Sequence, residues 1–264
     1  MTVMTMNPPG TFCWMELGTT DASQATDFYP RLFGWEVVEA PMGPDFIYYT
    51  FRVGGKDVAA MYQLMPDQLK MGVPPHWLSY VAVADADAAA ARATALGGKV
   101  VMGPHDAAEH GRLAIITDPQ GAVFAVWQAK NNPGVGLRGE PGSIVWNELM
   151  STDLAGGTAF YAKLFDWTTK VMPMPGMDYT IFEREGTGVG GGMQLTPEMG
   201  PMPSHWLPYF AVSDCDVTTA LAATLGAQVM QPPMDIPGAG RFSVMTDPAG
   251  AAFAILKPMP RSNS

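Results

Sequence analysis

The spacing of apolar and polar residues divides the chain into one small unit repeated several times. Residues 12–18 alternate as a strand, with Trp14, Glu16 and Gly18 on one face and Cys13, Met15 and Leu17 on the other. Asp21, just before Ala22-Ser23-Gln24-Ala25, has the short acceptor side chain that caps a helix. Ala25, Phe28, Leu32 and Phe33 then share one helical face, and Gly34 stops the helix. Three strands are predicted at about 35–40, 46–53 and 57–63, separated by Pro/Gly turns and by the hairpin signal Gly54-Gly55. The pattern then restarts: strand 77–84, an alanine-rich helix 86–96 ended by Gly97-Gly98, and strands near 99–102, 112–117 and 122–128. Asp118-Pro119-Gln120-Gly121 forms the turn between the last two strands. This half is therefore βαβββ written twice.

The second half repeats the first. Trp14, Glu16-Leu17, Asp21, Phe28-Tyr29, Leu32-Phe33 and Trp35 return 132 positions on as Trp146, Glu148-Leu149, Asp153, Phe160-Tyr161, Leu164-Phe165 and Trp167, and Met61 returns as Met193. From His76-Trp77-Leu78, matched by His205-Trp206-Leu207, the offset is 129. It holds through Gly111-Arg112 and Thr117-Asp118-Pro119, matched by Gly240-Arg241 and Thr246-Asp247-Pro248. The reading is α+β, four βαβββ units in two domains, 1–131 and 143–264, with the Pro/Gly-rich stretch 132–142 as an exposed linker. Fused halves of this kind are expected to pack on each other, making the monomer an intramolecular pseudo-dimer.

Composition removes several function classes. With 47% hydrophobic and 15% charged residues the chain can bury a real core. A net charge of −10 with scattered basic residues argues against a nucleic-acid partner. No apolar run approaches the roughly 20 residues that cross a bilayer, and the start MTVMTMNPPG lacks the pattern of a secretion signal, so no membrane partner and a cytoplasmic location are expected. Cys13 and Cys215 occupy non-equivalent places and read as buried thiols. The 20 methionines suit an adaptable apolar pocket.

The strand-Asp-helix opening that ends in Phe28-Tyr29 and Leu32-Phe33-Gly34-Trp35, with the late Asp118-Pro119-x-Gly121 turn, resembles the vicinal oxygen chelate (glyoxalase/bleomycin-resistance/dioxygenase) superfamily. The Trp-x-Glu-Leu opening and the His-Trp pair of each half are similar to its tandem-domain actinobacterial branch, which includes a mycobacterial culture-filtrate antigen. The resemblance implies cupped sheets with helices outside. It also implies metal-ligand positions on the first strand of each unit and on the last strand. Here those positions carry Trp14 and Trp146, Ser79 and Pro208, and Ala125 and Ala254. A divalent site needs three or more N, O or S donors, so no metal and no other cofactor is expected.

Candidate chemistry then rests on residues that recur. Glu16 and Glu148 follow the face of Trp14 and Trp146 and are candidates for proton transfer or for holding a polar ligand, with a structural ion pair as the bland alternative. His76 and His205, just before strands, could act as acid, base or ligand, or merely cap turns and pack on the adjacent Trp. Trp14, Trp146, Tyr48, Tyr49, Tyr179, Ser79, Met61 and Met193 are the expected cavity lining. His105 and His110 read as exposed loop residues, and Arg112 and Arg241 as structural partners of Asp106 and Asp235. The expected function is a metal-independent lyase, isomerase or similar tailoring enzyme with a hydrophobic, oxygenated small-molecule partner. The alternative is a protein that sequesters an antibiotic or aromatic metabolite without catalysis.

Overall fold

The computed structural model describes residues 7–44, 46–174 and 177–259. In the first half the elements run β1 (Phe12–Thr19), α1 (Ala22–Phe33), β2 (Glu36–Pro41), β3 (Ile47–Val53), β4 (Lys56–Gln63), α2 (Pro66–Lys70), β5 (His76–Ala82), α3 (Ala86–Ala95), β6 (Lys99–Ala107), β7 (Gly111–Thr117) and β8 (Val123–Ala129). The second half gives β9 (Ile144–Ser151), α4 (Leu154–Phe165), β10 (Thr168–Met174), β11 (Met177–Arg184), β12 (Thr187–Gln194), a single 3-10 turn at Pro197–Met199, β13 (His205–Ala211), α5 (Cys215–Thr224), β14 (Gln228–Ile236), β15 (Gly240–Thr246) and β16 (Ala252–Pro258). The fold is α+β, with two curled eight-stranded sheets in the orders β2-β3-β4-β1-β5-β8-β7-β6 and β10-β11-β12-β9-β13-β16-β15-β14.

Each long helix begins at an aspartate, as the sequence predicts at Asp21. Asp21, Asp85, Asp153 and Asp214 accept hydrogen bonds from the backbone N–H of Gln24, Ala88, Gly156 and Val217 at 2.9–3.0 Å. Two elements differ from the sequence reading. Helix α2 is five residues long and buries none of them, so it has no apolar period to betray it. Strand β6 runs to Ala107 because its pairing with β7 continues as far as Asp106 opposite Arg112 and Ala107 opposite Gly111. It ends the sheet order, where Pro104 costs no central ladder bond.

Register corrects one equivalence. Leu17 pairs with Met61 and Gly18 with Tyr62, whereas Leu149 pairs with Gly192 and Met150 with Met193. Met61 is thus the counterpart of Gly192, and Met193 the counterpart of Tyr62. The turns before these strands are alike, with Val53 opposite Lys56 and Arg184 opposite Thr187, so the one-residue slip arises earlier, between β2 and β3, where Pro41 faces Ile47, and between β10 and β11, where Met174 faces Met177.

By contact density the chain forms two compact units, each drawn from both halves of the sequence: residues 1–14, 78–134 and 146–207 in one, and 15–77, 135–145 and 208–264 in the other. In the second of these, Tyr29 of α1 is fully buried. Its hydroxyl donates to Asp247 Oδ2 at 2.9 Å and accepts from Trp77 Nε1 at 3.0 Å, while Asp247 Oδ1 collects the backbone N–H groups of Ala249, Gly250 and Ala251. Phe33, Trp35, Phe210 and Phe253 pack around this core.

The other unit repeats the arrangement. Trp206 Nε1 donates to the Tyr161 hydroxyl at 2.8 Å, and Asp118 accepts from Gln120 and Ala122. Asp118 Oδ2 is buried without a hydrogen bond of good geometry, and burial first, with the nearby Asp118 charge second, holds the Tyr161 phenol well above its usual range. The Phe-Tyr, His-Trp and Asp-Pro-x-Gly motifs therefore meet in the core of each unit: the aspartate organises its turn, the tyrosine ties a helix to it, and the tryptophan completes the tyrosine.

The stretch 132–142 is less exposed than its composition suggests. Gly134, Val135 and Gly142 are buried. Trp35 Nε1 donates to the Gly142 carbonyl at 2.7 Å, and Trp167 Nε1 to the Gly10 carbonyl at 2.8 Å. Gly142 before β9 thus does what Gly10 does before β1. The end of the stretch belongs to the repeat, as Pro9-Gly10-Thr11 against Pro141-Gly142-Ser143 makes visible.

Candidate functional site

Leu17 and Leu149 point to the helix-covered face of their strands. The leucine Cδ2 of Leu149 sits 3.1 Å from where a Cβ on Gly157 of α4 would lie. Alternation therefore turns Glu16 and Glu148 away from the helices. Opposite Glu16 on β4 is Ala60, and opposite Glu148 on β12 is Gly191, both small enough to leave room for a side chain from the next strand, and Glu148 is buried.

Each glutamate is held by a tyrosine of the same sheet face. The Tyr48 hydroxyl donates to Glu16 Oε2 at 2.6 Å, and the Tyr179 hydroxyl to Glu148 Oε2 at 2.8 Å. In the second case Trp146 Nε1 also donates to the Tyr179 hydroxyl at 2.9 Å. Burial first, and the Glu148 charge second, hold Tyr179 well above the usual phenol range, so it stays a hydrogen-bond donor at neutral pH. Gly191 is required by this packing, because a Cβ there would collide with the Tyr179 ring.

The two histidines share one geometry. His76 Nδ1 lies 2.8 Å from the Pro74 carbonyl, and His205 Nδ1 2.8 Å from that of Pro203. A carbonyl can only accept, so Nδ1 carries the proton and Nε2 is left as the ring's acceptor. Burial lowers the pKa of both rings, with the carbonyl pulling weakly the other way, which keeps them neutral near pH 7.

Around Gly18 the first half gathers further groups. A Cβ on Gly18 would stand 2.9 Å from His76 Cε1 and 3.2 Å from the Tyr62 hydroxyl. Tyr62 lies directly opposite both Gly18 and Tyr48, so these residues share the Glu16 face. Gln68 of α2 donates to its hydroxyl at 3.2 Å, and burial, with the Glu16 charge adding, raises the Tyr62 pKa. Tyr62 was not among the residues singled out from sequence. The signal for it was the Gly54-Gly55 hairpin, whose register sets Tyr48 and Tyr62 against each other.

Three expected lining residues lie elsewhere. Met61 is fully buried beside Leu17 on the helix side, and Tyr49, its partner across the hairpin, shares that face. Alternation from Tyr48 is the reason for both. Ser79 is buried and donates to Asn147 Oδ1 at 2.8 Å. Trp14 and Trp146 lie on β1 and β9, with Trp14 only 6% exposed. Arg112 binds Asp87 at 2.6 Å and Asp106 at 3.3 Å, and Arg241 binds Asp216 at 2.7 Å and Asp235 at 3.1 Å, all as exposed ion pairs.

The donors do not fit a divalent ion. Among the described residues no three His, Cys, Asp or Glu side chains come together, and the glutamates already accept phenol hydrogen bonds. The arrangement suits hydrogen bonding and proton movement on a polar group of an otherwise apolar ligand.

Comparison with known proteins places these features in company. Residues 11–126 match the family model described as Glyoxalase/Bleomycin resistance protein/Dioxygenase superfamily, and residues 144–256 match a glyoxalase-like domain. CFP32 of Mycobacterium bovis, a glyoxylase by designation, is 41% identical over 254 residues, 96% of each chain. The anthracycline biosynthesis protein DauV of Streptomyces sp. strain C5 is 35% identical over 266 residues, covering 96% of this chain and 95% of its own. Among solved structures, the Mn(II)-bound glyoxalase from Novosphingobium aromaticivorans superposes with a TM-score of 0.66 at 16% identity, over 96% of this chain and 83% of that one. The 2,3-dioxygenase LapB from Pseudomonas sp. KL28 gives 0.65 at 12% identity, over 98% and 97%. At such identities these structures speak for the fold alone.

Proposed function

Since this chain belongs to the glyoxalase/bleomycin-resistance/dioxygenase superfamily, we propose that it is a metal-independent tailoring enzyme, of lyase or isomerase type, for a hydrophobic, oxygenated aromatic metabolite. The observation that carries this reading is the carboxylate–phenol pair repeated on both sheets, Tyr48 with Glu16 and Tyr179 with Glu148. A carboxylate held by a neighbouring phenol can accept a hydroxyl proton of a ligand, while apolar and aromatic walls take its rings. The donor set supports a reaction run by side chains rather than by a coordinated ion. The name of the Streptomyces relative supports a polycyclic, quinone-like substrate class.

The test uses the hydroxyanthraquinone quinizarin as probe. Tryptophan quenching should saturate, and both Glu16→Gln and Glu148→Gln should fold normally while weakening binding at least ten-fold, the scale of a lost charged hydrogen bond of about 1.5–3 kcal/mol. Unchanged affinity in both variants, together with reduced melting temperature, makes the glutamates structural and sinks the reading. Sequestration without catalysis is the second reading. It is favoured by the Trp146–Tyr179–Glu148 chain, in which the phenol is already committed on two sides. Tight quenching with no change in the absorbance spectrum of the probe over hours would select it.

A further inference from the structure

The halves differ on the helix-covered side of their sheets, the face turned away from the glutamates. In the first half that face carries Tyr49 on β3 opposite Met61 on β4, and Met61 is fully buried. Counting from the glutamate-binding tyrosines, the matching pair is Thr180 on β11 opposite Gly192 on β12, so a phenol ring and a thioether are missing from the layer between sheet and helix. Leu154 of α4 takes part of the room, its Cδ1 lying 2.9 Å from where a Cβ on Gly192 would stand. Beyond it lies an open groove of about 1040 Å³, lined by α4, by β10 and β11 and by the turn at Pro197–Met199, all within one compact unit.

The groove is apolar along its walls and acidic in its charge. Ala155, Ala159 and Ala162 form one stripe of α4, and Met177 and Met199 add thioethers that adjust to the shape of a ligand. Thr180 is only 7% exposed, and among the described residues its hydroxyl has no hydrogen-bond partner. Asp178 stands two residues before it on the same strand face, and Glu198 comes from the turn. The Thr196 hydroxyl holds the Glu198 carboxyl below its ordinary range, so it is ionised at neutral pH. No lysine, arginine or histidine lines the groove.

We propose that this groove is a second small-molecule site, separate from the glutamate face, and that its ligand is a planar aromatic cation. The rings lie against the alanines and methionines, an N–H donates to the Thr180 hydroxyl, and the positive charge faces Asp178 and Glu198. Two anions with no cation beside them repel an anionic ligand and give a neutral ring nothing. The volume is at the upper end of the range for small-molecule pockets. The first half supplies neither the room, which Tyr49 and Met61 take, nor the charge, since Ile47 stands where the second half has Asp178. The site does not depend on the role assigned to the glutamates.

The probe is proflavine, a planar aromatic cation at neutral pH, followed by fluorescence anisotropy on the whole protein, with neutral acridone for comparison. Proflavine should bind saturably at one site per chain. Acridone should bind more weakly by about three-fold or more, and the double variant Asp178→Asn with Glu198→Gln should weaken proflavine by a similar factor, the scale of exposed ion pairs. Both carboxylates are exposed, so this variant keeps the fold. Thr180→Tyr copies the first half and should weaken proflavine about ten-fold or more by occupying the groove, while quenching by quinizarin stays as in the unaltered protein. Absence of saturable proflavine binding overturns the site. Binding that survives both variants places the dye elsewhere and overturns it too, and if Thr180→Tyr fails to fold the double variant alone decides. Acridone as tight as proflavine overturns the cation, and loss of quinizarin quenching in a folded Thr180→Tyr overturns the separation of the two sites.

Discussion

At the scale of single residues, the strongest constraint is the Trp–Tyr–Asp chain in the core of each unit. Tyr29 and Tyr161 are fully buried, and each hydroxyl satisfies a tryptophan N–H on one side and faces an aspartate on the other. Removing the Tyr29 hydroxyl strands Trp77 Nε1 and Asp247 Oδ2, and removing the Tyr161 hydroxyl strands Trp206 Nε1. Tyr29→Phe and Tyr161→Phe should therefore each lower unfolding free energy by about 1–3 kcal/mol in urea titrations, although the ring and its aromatic contacts are unchanged. A loss under about 0.5 kcal/mol, the ordinary effect of a neutral surface change, would mean that neither hydroxyl matters. Most of these residues were legible in the sequence as repeated motifs, but their purpose was not: Asp247 lies 218 positions from Tyr29, and nothing local connects them.

Elements, by contrast, were largely readable because their signals are local. Caps, glycine stops and alternation fix β1, α1, β5, α3 and their repeats. The ends of α1 and α4 make a clean comparison: Gly34 closes α1 at φ 71°, and Asp166 closes α4 at φ 56°, both left-handed. A Cβ at Gly34 would meet nothing within 4 Å, so Gly34→Ala isolates the backbone cost and should destabilise by about 1 kcal/mol. Asp166→Gly should instead stabilise by less than that, because losing the exposed pair with Arg92 offsets part of the relief. Thermal melts of the two variants moving in the same direction would refute this account. What local signals missed were α2, too short to show a period, and the one-residue offset between β4 and its counterpart β12, which the β2–β3 and β10–β11 connections decide.

For the whole molecule, pH acts through groups in both units. Burial lowers the pKa of His76 and His205, so the stability they contribute is fully present above about pH 6.5 and is lost as pH falls through their folded values. Burial raises the pKa of Asp118 and Asp247, with opposite sign: their contribution is full below about pH 3.9 and is lost as pH rises through the folded values. Between pH 7 and pH 5 the histidines should dominate, and melting temperature should fall on acidification. The double variant His76→Asn with His205→Asn should flatten that slope; an unchanged slope would assign it to other groups. No helix among the described residues is long and apolar enough to cross a membrane.

The sequence by itself determined the repeat, the order of its elements, the helix caps and the face on which each glutamate stands, because all of these follow from spacings of a few residues or from comparing the chain with itself. Tertiary structure decided how the pieces combine. Each compact unit draws on both halves of the chain, and the phenols of Tyr48 and Tyr179 reach Glu16 and Glu148 from strands more than 30 positions away. It also set Gly18 opposite Tyr62 and Met150 opposite Met193. Alternation tells which side a residue faces, but only pairing between strands tells what it faces, and the chemistry of this site lies in that second fact.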